Sequence, residues 1–407
     1  MKRAAITLLC ALLACLLIAV GPGTGRSRLY WQALLHGAGS IDAGNATRTI
    51  SIDEPAQPSL PPLDPAAAGI NPLVIEDVMS LADSQNATAV VIVRDGHLVA
   101  ERYFRGTDAS TSFAADRFAA LLATLAVGAA FDMARFGSEA EPIGNYLPSW
   151  RGDARGAVTI ADLLAGRGRF VPLGAARWPG SPAVTSRTAA DFEAFWLARP
   201  LGEIAEYANE TDIELLALAL RNATATSYPQ FLQQTIWRPL GGGRLTFLAD
   251  GGGQVRAACC LQMRQGDIVR LAALLMGDGV YMGEQILRPG WIRHMWPRHE
   301  PDHRPGMQLN AATPHPRIDP DSGEMTDAPW REPFLVDDVV FAAARERQRI
   351  WLVPSLQLAV IRLGKAPPAG ADWQESALVN ALIRGISKRS ATTRAPDAMD
   401  PSQFAPH

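Results

Sequence analysis

The sequence predicts an α/β fold of the α+β type, with one antiparallel sheet assembled from both chain ends and helices packed on it. Residues 87–104 hold two β-rich runs around Asp95-Gly96, a strong two-residue hairpin signal. Residues 118–131 are almost entirely apolar, which predicts a central helix buried on all sides. Residues 336–364 contain three further strand-like runs, followed by an amphipathic helix. The helices between the two strand regions form an insertion.

Further helices are predicted along the chain. Residues 72–82 place a proline early and then show an apolar helical periodicity. Thr159 is expected to cap the helix that begins there. Residues 171–203 are interrupted by proline and glycine, so we expect them to wrap over the surface. The other predicted helices are 203–222, 228–237 and two pieces within 267–297 that flank a turn.

The composition is that of a folded, slightly acidic protein. The chain has 407 residues, 48% of them hydrophobic, and a net charge of −3. This length suits one large domain or two ordinary ones. Because no global basic field exists, the sequence predicts no nucleic-acid partner. Lysine is scarce, since only Lys2, Lys365 and Lys388 are present.

The four cysteines predict neither a disulfide framework nor a metal site. Cys10 and Cys15 lie in an N-terminal apolar run, and Cys259 and Cys260 are adjacent. Neighbouring Cα atoms are closer than disulfide geometry usually requires, so a bridge between the latter two is not expected. No cysteine spacing is typical of zinc. The sequence predicts no metal and no cofactor.

The N-terminus predicts export or membrane attachment. A basic start, Lys2-Arg3, precedes the apolar run 4–20. An uncleaved anchor is favoured over a cleaved signal, with secretion as the alternative, because no clear small-residue cleavage site ends the run. The remaining chain is then expected at the extracytoplasmic, periplasmic face. The predicted organisation is a signal anchor or transmembrane segment at 1–21, a linker at 22–70, one domain at 71–388 and a disordered tail at 389–407.

The common nucleophile motifs are absent from the sequence. The chain contains no Gly-x-Ser-x-Gly, which counts against an α/β-hydrolase elbow. No Ser-x-x-Lys occurs, because none of the lysines has a serine three residues before it. The glycine triplets at 241–243 and 251–253 are interpreted as turns. His299 and His303 have a metal-ligand spacing, but nearby prolines would break the helix that it needs.

An ordered set of stretches between residues 87 and 386 carries a family resemblance. In chain order they are VIVRDGHLVAERYF, PIGNYLP, VTIADLL, Tyr207-Ala208-Asn209, FLQQTIWRPLG, GDIVRLAALLMGDGVYMGEQILRPGW and QRIWLVPSLQLAVIRLG. Together they resemble the β-lactamase-related serine hydrolases. This penicillin-binding-protein-like family includes class C β-lactamases, esterases and nylon-oligomer hydrolases. The resemblance implies a β-lactamase/transpeptidase-like fold.

The resemblance also implies a catalytic pattern that this chain lacks. The family's Ser-x-x-Lys opens the central helix, where serine attacks a carbonyl and lysine takes its proton. Its serine position falls on Arg117 and its lysine position on Ala120. The His-Gly-Gly that lines the far wall falls on Arg345–Arg347, where a bulky charged residue on that strand would fill substrate space. Only Tyr207 and Asn209 match the family's Tyr-x-Asn.

Each of these residues has two interpretations. Tyr207 and Asn209 are either a structural pair, with a buried phenol and a capping amide, or a vestigial ligand-contacting pair. Arg117, Arg345 and Arg347 either fill the pocket through salt bridges or form an anion-binding site, because guanidinium groups suit carboxylate and phosphate. The salt-bridge partners considered are Asp116, Glu206 and Glu346.

Three functions follow as hypotheses. The favoured one is a catalytically inactive, membrane-tethered member that binds or scaffolds, with an unknown small molecule or cell-wall-type ligand. The alternative is an active esterase, amidase or β-lactamase-like hydrolase with a displaced nucleophile. Ser110, Thr111 and Ser112 lie near the helix start and are candidates for that role. The third is a structural module without a ligand.

Overall fold

The computed structural model describes most of the predicted domain. The described residues are 48–174 except Ala56 and Pro58, 180–202, 210–297, 307–312, 317–318, 325–326 and 330–387, together with Gln32, Leu35 and Trp178. The predicted anchor at 4–20 and the predicted tail at 389–407 lie outside them. Among the described residues, no helix combines the length and apolar character needed to cross a bilayer.

Helices and strands alternate as a mixed α/β fold, as the sequence predicts. The helices are α1 (Pro72–Ser84), α2 (Arg117–Asp132), α3 (Ile160–Leu164), α4 (Pro182–Thr188), α5 (Phe192–Leu197), α6 (Glu210–Thr224), α7 (Tyr228–Leu232), α8 (Ile268–Met276), α9 (Trp291–His294) and α10 (Ala377–Gly385). The strands are β1 (Thr49–Ile52), β2 (Ala87–Arg94), β3 (His97–Tyr103), β4 (Ser112–Ala114), β5 (Leu245–Leu248), β6 (Leu261–Arg264), β7 (Val280–Tyr281), β8 (Glu284–Gln285), β9 (Asn310–Ala311), β10 (Arg317–Ile318), β11 (Met325–Thr326), β12 (Val340–Ala344), β13 (Gln348–Val353) and β14 (Leu358–Gly364).

The main sheet is antiparallel and comes from both ends of the domain, which confirms the prediction. Its order is β3-β2-β14-β13-β12-β9. The early β2–β3 hairpin turns at Asp95 and Gly96, which both have positive φ (52° and 74°), as a two-residue hairpin requires. Strand β2 then pairs with the late strand β14, with Val91 opposite Ile361.

The main sheet separates two apolar cores. Alternate residues of a strand point to opposite faces, so β2 supplies Val91 and Val93 to one core and Val90 and Ile92 to the other. The first core contains α2, α6 and α8, and the second contains α1 and α10. Two buried faces explain why β2 reads as a nearly continuous apolar run rather than as an alternating one.

Helix α2 is the centre of the larger core, as predicted. Every residue from Phe118 to Ala130 is buried. Gly128 lies against the indole of Trp291, where an added Cβ would overlap the ring. Close packing at this point therefore depends on the absence of a side chain.

A second sheet was not predicted. Its order is β1-β5-β6-β4, and its strands have only three or four residues each. Thr49 pairs with Leu248 from a distant part of the chain, so no hairpin signal marks the pairing. Strand β1 lies inside the segment 22–70 that the sequence predicts as a linker. The folded body thus begins earlier than residue 71.

Residues 171–203 also differ from the prediction of a surface wrap. They contain α4 and α5, which bury Val184, Phe192 and Trp196. Pro182 begins α4, and Asp191 caps α5 by accepting a hydrogen bond from Ala194 N at 2.8 Å. These local helix-start signals are present in the sequence, but the surrounding prolines and glycines obscure them.

The expectation that Cys259 and Cys260 do not bridge is wrong. The two residues form a disulfide with a Cα separation of 3.8 Å, whereas disulfides usually span about 4.4 Å or more. Cys260 has a φ of 65°, so the backbone turns sharply there and both sulfurs can meet. The pair is buried immediately before β6.

Substitution of Gly128 by alanine should destabilise the fold. Alanine normally stabilises a helix interior relative to glycine, but here its Cβ would overlap Trp291. We expect a loss of about 1–3 kcal/mol in the free energy of unfolding, measured with urea. Gly252→Ala is the matched control, since its Cβ would have its nearest neighbour at 3.5 Å. A Gly128→Ala protein as stable as this control would contradict the packing.

Candidate functional site

The first turn of α2 faces the turn between β12 and β13, which is where the family resemblance places the two walls of an active site. Ala115 N donates to Leu261 O at 2.8 Å, which joins the start of α2 to β6. Gln348 Nε2 donates to Ala114 O at 3.1 Å, which joins it to β13. The two regions that the resemblance assigns to the walls therefore lie together, and the roles of their residues stay predictions.

Asp116 has an unusual conformation at the start of α2. Its φ of 43° and ψ of −117° are rare for any residue with a side chain. Aspartate commonly caps a helix, but the Asp116 carboxylate makes no capping hydrogen bond. It instead accepts from Arg345 N at 3.3 Å and lies 3.9 Å from Arg345 Nε. Burial raises the pKa of Asp116, against the lowering effect of Arg345 and Arg117.

Arg117 and Ala120 occupy the predicted serine and lysine positions. Ala120 is buried and packs in the core. Arg117 is partly buried, and its guanidinium makes no hydrogen bond within the part of the chain that the structure describes. The positive charges of Arg117 and Arg345 both act on the Asp116 carboxylate and favour its ionised form. The first turn thus carries one cation and one alanine where the family carries a nucleophile and its base.

The prediction that Arg345–Arg347 stand on a strand is wrong, because these residues form the turn between β12 and β13. Glu346 and Arg347 have φ values of 62° and 60°, a conformation that favours glycine. Arg345 faces Asp116, whereas the Arg347 guanidinium lies 5.8 Å from the ring centre of Trp373 in the other core. Arg347 therefore does not share the site with Arg117 and Arg345.

Arg362 forms hydrogen bonds with the backbone carbonyl groups of this turn. Its guanidinium is fully buried and donates to Glu346 O at 3.1 Å and Arg347 O at 2.9 Å. It also lies 5.2 Å from the Trp373 ring centre. Burial, together with the positive charge of Arg349, lowers the pKa of Arg362 to about 10. This residue was not among the predicted site residues, although an arginine inside an apolar strand is a visible signal.

A charge network, buried except for the partly exposed Glu210, lies beside the site, and we call it the buried charge network. Its members are Arg187 of α4, Glu210 and Glu214 of α6, and Arg256. Arg256 is fully buried and contacts Glu210 at 2.5 Å and Glu214 at 2.6 Å, and Arg187 contacts Glu210 at 3.1 Å. Although burial opposes ionisation, the charges of Arg187 and Arg256 lower the pKa of Glu210 to about 2. The network is also coupled to Asp116 through Glu210 and Arg187.

Arg256 and Glu214 connect this network to β6. The Glu214 carboxylate accepts from Ala257 N and Ala258 N, both at 3.1 Å, just before the disulfide. Arg256 lies 4.7 Å from the Trp196 ring centre and donates to Ser186 O at 2.5 Å. The network was not predicted. Its sequence signal is the alternating acids Glu210, Asp212 and Glu214, which precede the apolar run of α6.

Two predicted site residues lie outside the described part of the chain. These are Tyr207 and Asn209, in the stretch 203–209 that precedes Glu210. Their roles therefore stay predictions. Glu210 itself is described, and it forms ion pairs with Arg187 and Arg256.

The alternative nucleophiles lie in the segment before β4 and at its first residue, Ser112. Ser110 and Thr111 donate their hydroxyl protons to Asp108 Oδ1 at 2.7 and 2.9 Å. These hydrogen bonds, from Ser110 first and then Thr111, lower the pKa of Asp108, which weakens it as a base. Ser112 is exposed. Lys365, the described lysine, is exposed after the end of β14.

Replacing Glu214 with glutamine should destabilise the protein strongly. The change leaves the buried Arg256 with an incompletely neutralised charge, and loss of one partner of a buried pair costs about 3–5 kcal/mol. Glu193→Gln is the matched control, because its pair with Arg221 is about a third exposed and is worth about 1 kcal/mol or less. Equal urea midpoints for the two variants would contradict the importance of the network.

Solved structures of several hydrolases and related proteins share this fold. A proposed 6-aminohexanoate-dimer hydrolase from Bacillus anthracis has a TM-score of 0.63 at 15% identity, covering 88% of this chain and 92% of that one. A class C β-lactamase from Rhodobacter sphaeroides has 0.53 at 17%, covering 77% and 97%. An octameric penicillin-binding protein homologue from Pyrococcus abyssi has 0.51 at 16%, covering 76% of each chain.

Sequence comparison gives the family directly. No curated protein matches the chain. The family model described as beta-lactamase, however, matches residues 81–361, which is more than half of the chain. This match spans β2, the α2 entrance and most of β14, the elements that build the candidate site. The chain therefore belongs to the β-lactamase-related family of serine hydrolases.

Proposed function

We propose that this chain is a non-hydrolytic member of its family that binds a small anionic ligand at the start of α2. The observation that carries the proposal is the exchange of a nucleophile and base for Arg117 and Ala120 in an otherwise preserved frame. The ligand would be a carboxylate- or phosphate-bearing small molecule, including cell-wall-type compounds. A binding or scaffolding role replaces hydrolysis.

The chemistry of the first turn supports the loss of hydrolysis. Covalent catalysis in this family needs a hydroxyl nucleophile with a base one helical turn away. In subtilisin, removing the nucleophile lowers kcat by a factor on the order of 10⁶. Arginine cannot act as a nucleophile or base at neutral pH, and Ala120 has no functional group. Residual turnover by the family's route would then be negligible.

The charges around the start of α2 support an anion as the ligand. The buried charge network has two positive and two negative charges and is therefore neutral within itself. At the start of α2, by contrast, the single negative charge of Asp116 faces the two positive charges of Arg117 and Arg345. The side chain of Arg345 is 54% exposed, so a ligand can reach it from solvent. Paired guanidinium groups bind carboxylate and phosphate through charge-assisted hydrogen bonds.

We further propose that residues 4–20 tether the protein to a membrane, with the folded domain at the periplasmic face. The support is the basic start followed by an apolar run. Cleavage of the same segment as a signal would give a secreted protein, which is the alternative. Fractionation of a tagged full-length chain, beside a truncated chain that lacks residues 1–21, separates the two outcomes.

An activated fluorophosphonate probe should not label the protein. Ser110 donates its hydroxyl proton to Asp108, but the lowered pKa of that carboxylate makes it a weak base. The serines near the start of α2 therefore lack an effective general base. The readout is intact-protein mass, with a class C β-lactamase as positive control. Stoichiometric labelling that Ser110→Ala or Ser112→Ala abolishes would establish the alternative, an active hydrolase with a displaced nucleophile.

Arg345→Ala should weaken binding of an anionic ligand, whereas Arg347→Ala should leave it unchanged. The two arginines share one turn, but only Arg345 faces Asp116. Loss of a charge-assisted contact predicts a decrease of roughly tenfold or more in affinity for a muropeptide or inorganic phosphate. Isothermal calorimetry measures this. Equal loss in both variants, or no binding by the wild type, would count against the site.

A further inference from the structure

We infer that the Asp116 carboxylate occupies the Arg117–Arg345 site as an internal substitute for the ligand. An external anion must displace this carboxylate in order to bind. This inference rests on the proposed function and adds to it a competitor built into the chain. The expected consequence is that ligand affinity is set by two groups, the arginines that attract the anion and the carboxylate that must leave.

The first support is the direction in which Asp116 points. An aspartate at a helix start normally turns its carboxylate back onto the backbone N–H groups of the first turn. Asp116 makes no such bond and reaches across to the β12–β13 turn. Its φ of 43° and ψ of −117° are a conformation that side-chain-bearing residues rarely adopt. The backbone is thus held in an unfavourable conformation in which the carboxylate lies beside Arg345.

The second support is the weakness of the contact that results. The carboxylate accepts from Arg345 N at 3.3 Å, and its distance to Arg345 Nε is 3.9 Å, too long for a hydrogen bond. Carboxylate–guanidinium pairs elsewhere in the chain are short, as in Arg349–Glu375 at 2.6 Å. A long, half-exposed contact can be replaced by a ligand that achieves short bidentate geometry.

The third support is the chemistry that faces Asp116 from each neighbouring element. Arg117 lies on α2, Arg345 in the β12–β13 turn, Arg187 on α4 and Glu210 on α6. Burial and Glu210 favour the protonated carboxyl, while the three arginines favour the ionised form, and burial is the largest effect, so the pKa is raised. Protonation removes the competing charge but leaves both guanidinium groups cationic. Anion binding should therefore strengthen as the pH falls through the pKa of Asp116.

The test uses N-acetylglycine, a monocarboxylate that stays ionised above about pH 5. Its affinity for the protein is measured by calorimetry in steps from about pH 5 to about pH 8 for the wild type and Asp116→Asn. We expect the wild type to bind more tightly at the lower pH. At the higher pH, Asp116→Asn should bind about fivefold or more tightly than the wild type, with little dependence on pH.

Controls separate this inference from the proposed function. Asp83→Asn removes the same charge from α1, at the other face of the sheet, where Asp83 forms an exposed pair with Arg105, and it should behave as the wild type. Asp116→Gly repeats the test with a residue that accepts the backbone conformation, should Asp116→Asn unfold. Wild-type binding that Arg345→Ala weakens and both Asp116 variants leave unchanged would overturn the internal substitute alone. No binding by any variant would overturn the proposed function and this inference together.

Discussion

Helix α2 has no polar face, so each element packed around it must supply apolar surface. That requirement fixes the larger core, from the inner face of the main sheet to α6 and α8. Two hydrogen bonds fix where the helix begins. Ala115 N donates to Leu261 O of β6, and the Gln348 side chain of β13 donates to Ala114 O. The start of α2 and the β12–β13 turn consequently face each other whatever residues stand there.

The packing of α2 and the family's catalytic chemistry depend on different side chains. The fold can therefore persist without the catalytic motif. Ala120 at the predicted base position contributes to the core as a small apolar residue. Arg117 lies at the rim of the core, so its charge is not forced into apolar surroundings. The residues at these two positions are thus compatible with the packing, because Ala120 fits the core and Arg117 is only partly buried.

The backbone at both walls keeps conformations that glycine would adopt more readily. Asp116 at one wall and Glu346 and Arg347 at the other all have positive φ, each at a cost of about 1–3 kcal/mol. At the second wall, Arg362 holds the carbonyl groups of the turn, and the Arg347 side chain lies against Trp373. The neighbouring buried charge network is neutral within itself. The charges that remain at the start of α2 are therefore those of Asp116, Arg117 and Arg345.

The sequence predicted those parts of the fold that local pattern determines. The β2–β3 turn, the burial of α2 and the three late strands each depend on a contiguous signal, and each is confirmed. The second sheet depends on short strands far apart in the chain, such as Thr49 opposite Leu248, and no local pattern reveals that. The structure also brings the start of α2 and the β12–β13 turn together, and the roles that the resemblance gives their residues stay predictions. The resemblance could not tell that Arg345 faces Asp116 while Arg347 lies beside Trp373, since the turn geometry decides that.

The most direct measurement is a crystal structure of the protein soaked with 4-bromobenzoate, whose bromine locates the ligand by anomalous scattering. We predict the carboxylate between the Arg117 and Arg345 guanidinium groups, with the Asp116 side chain moved away from Arg345. Bromine density elsewhere, with Asp116 still in contact with Arg345, would contradict the internal substitute and the anion site together.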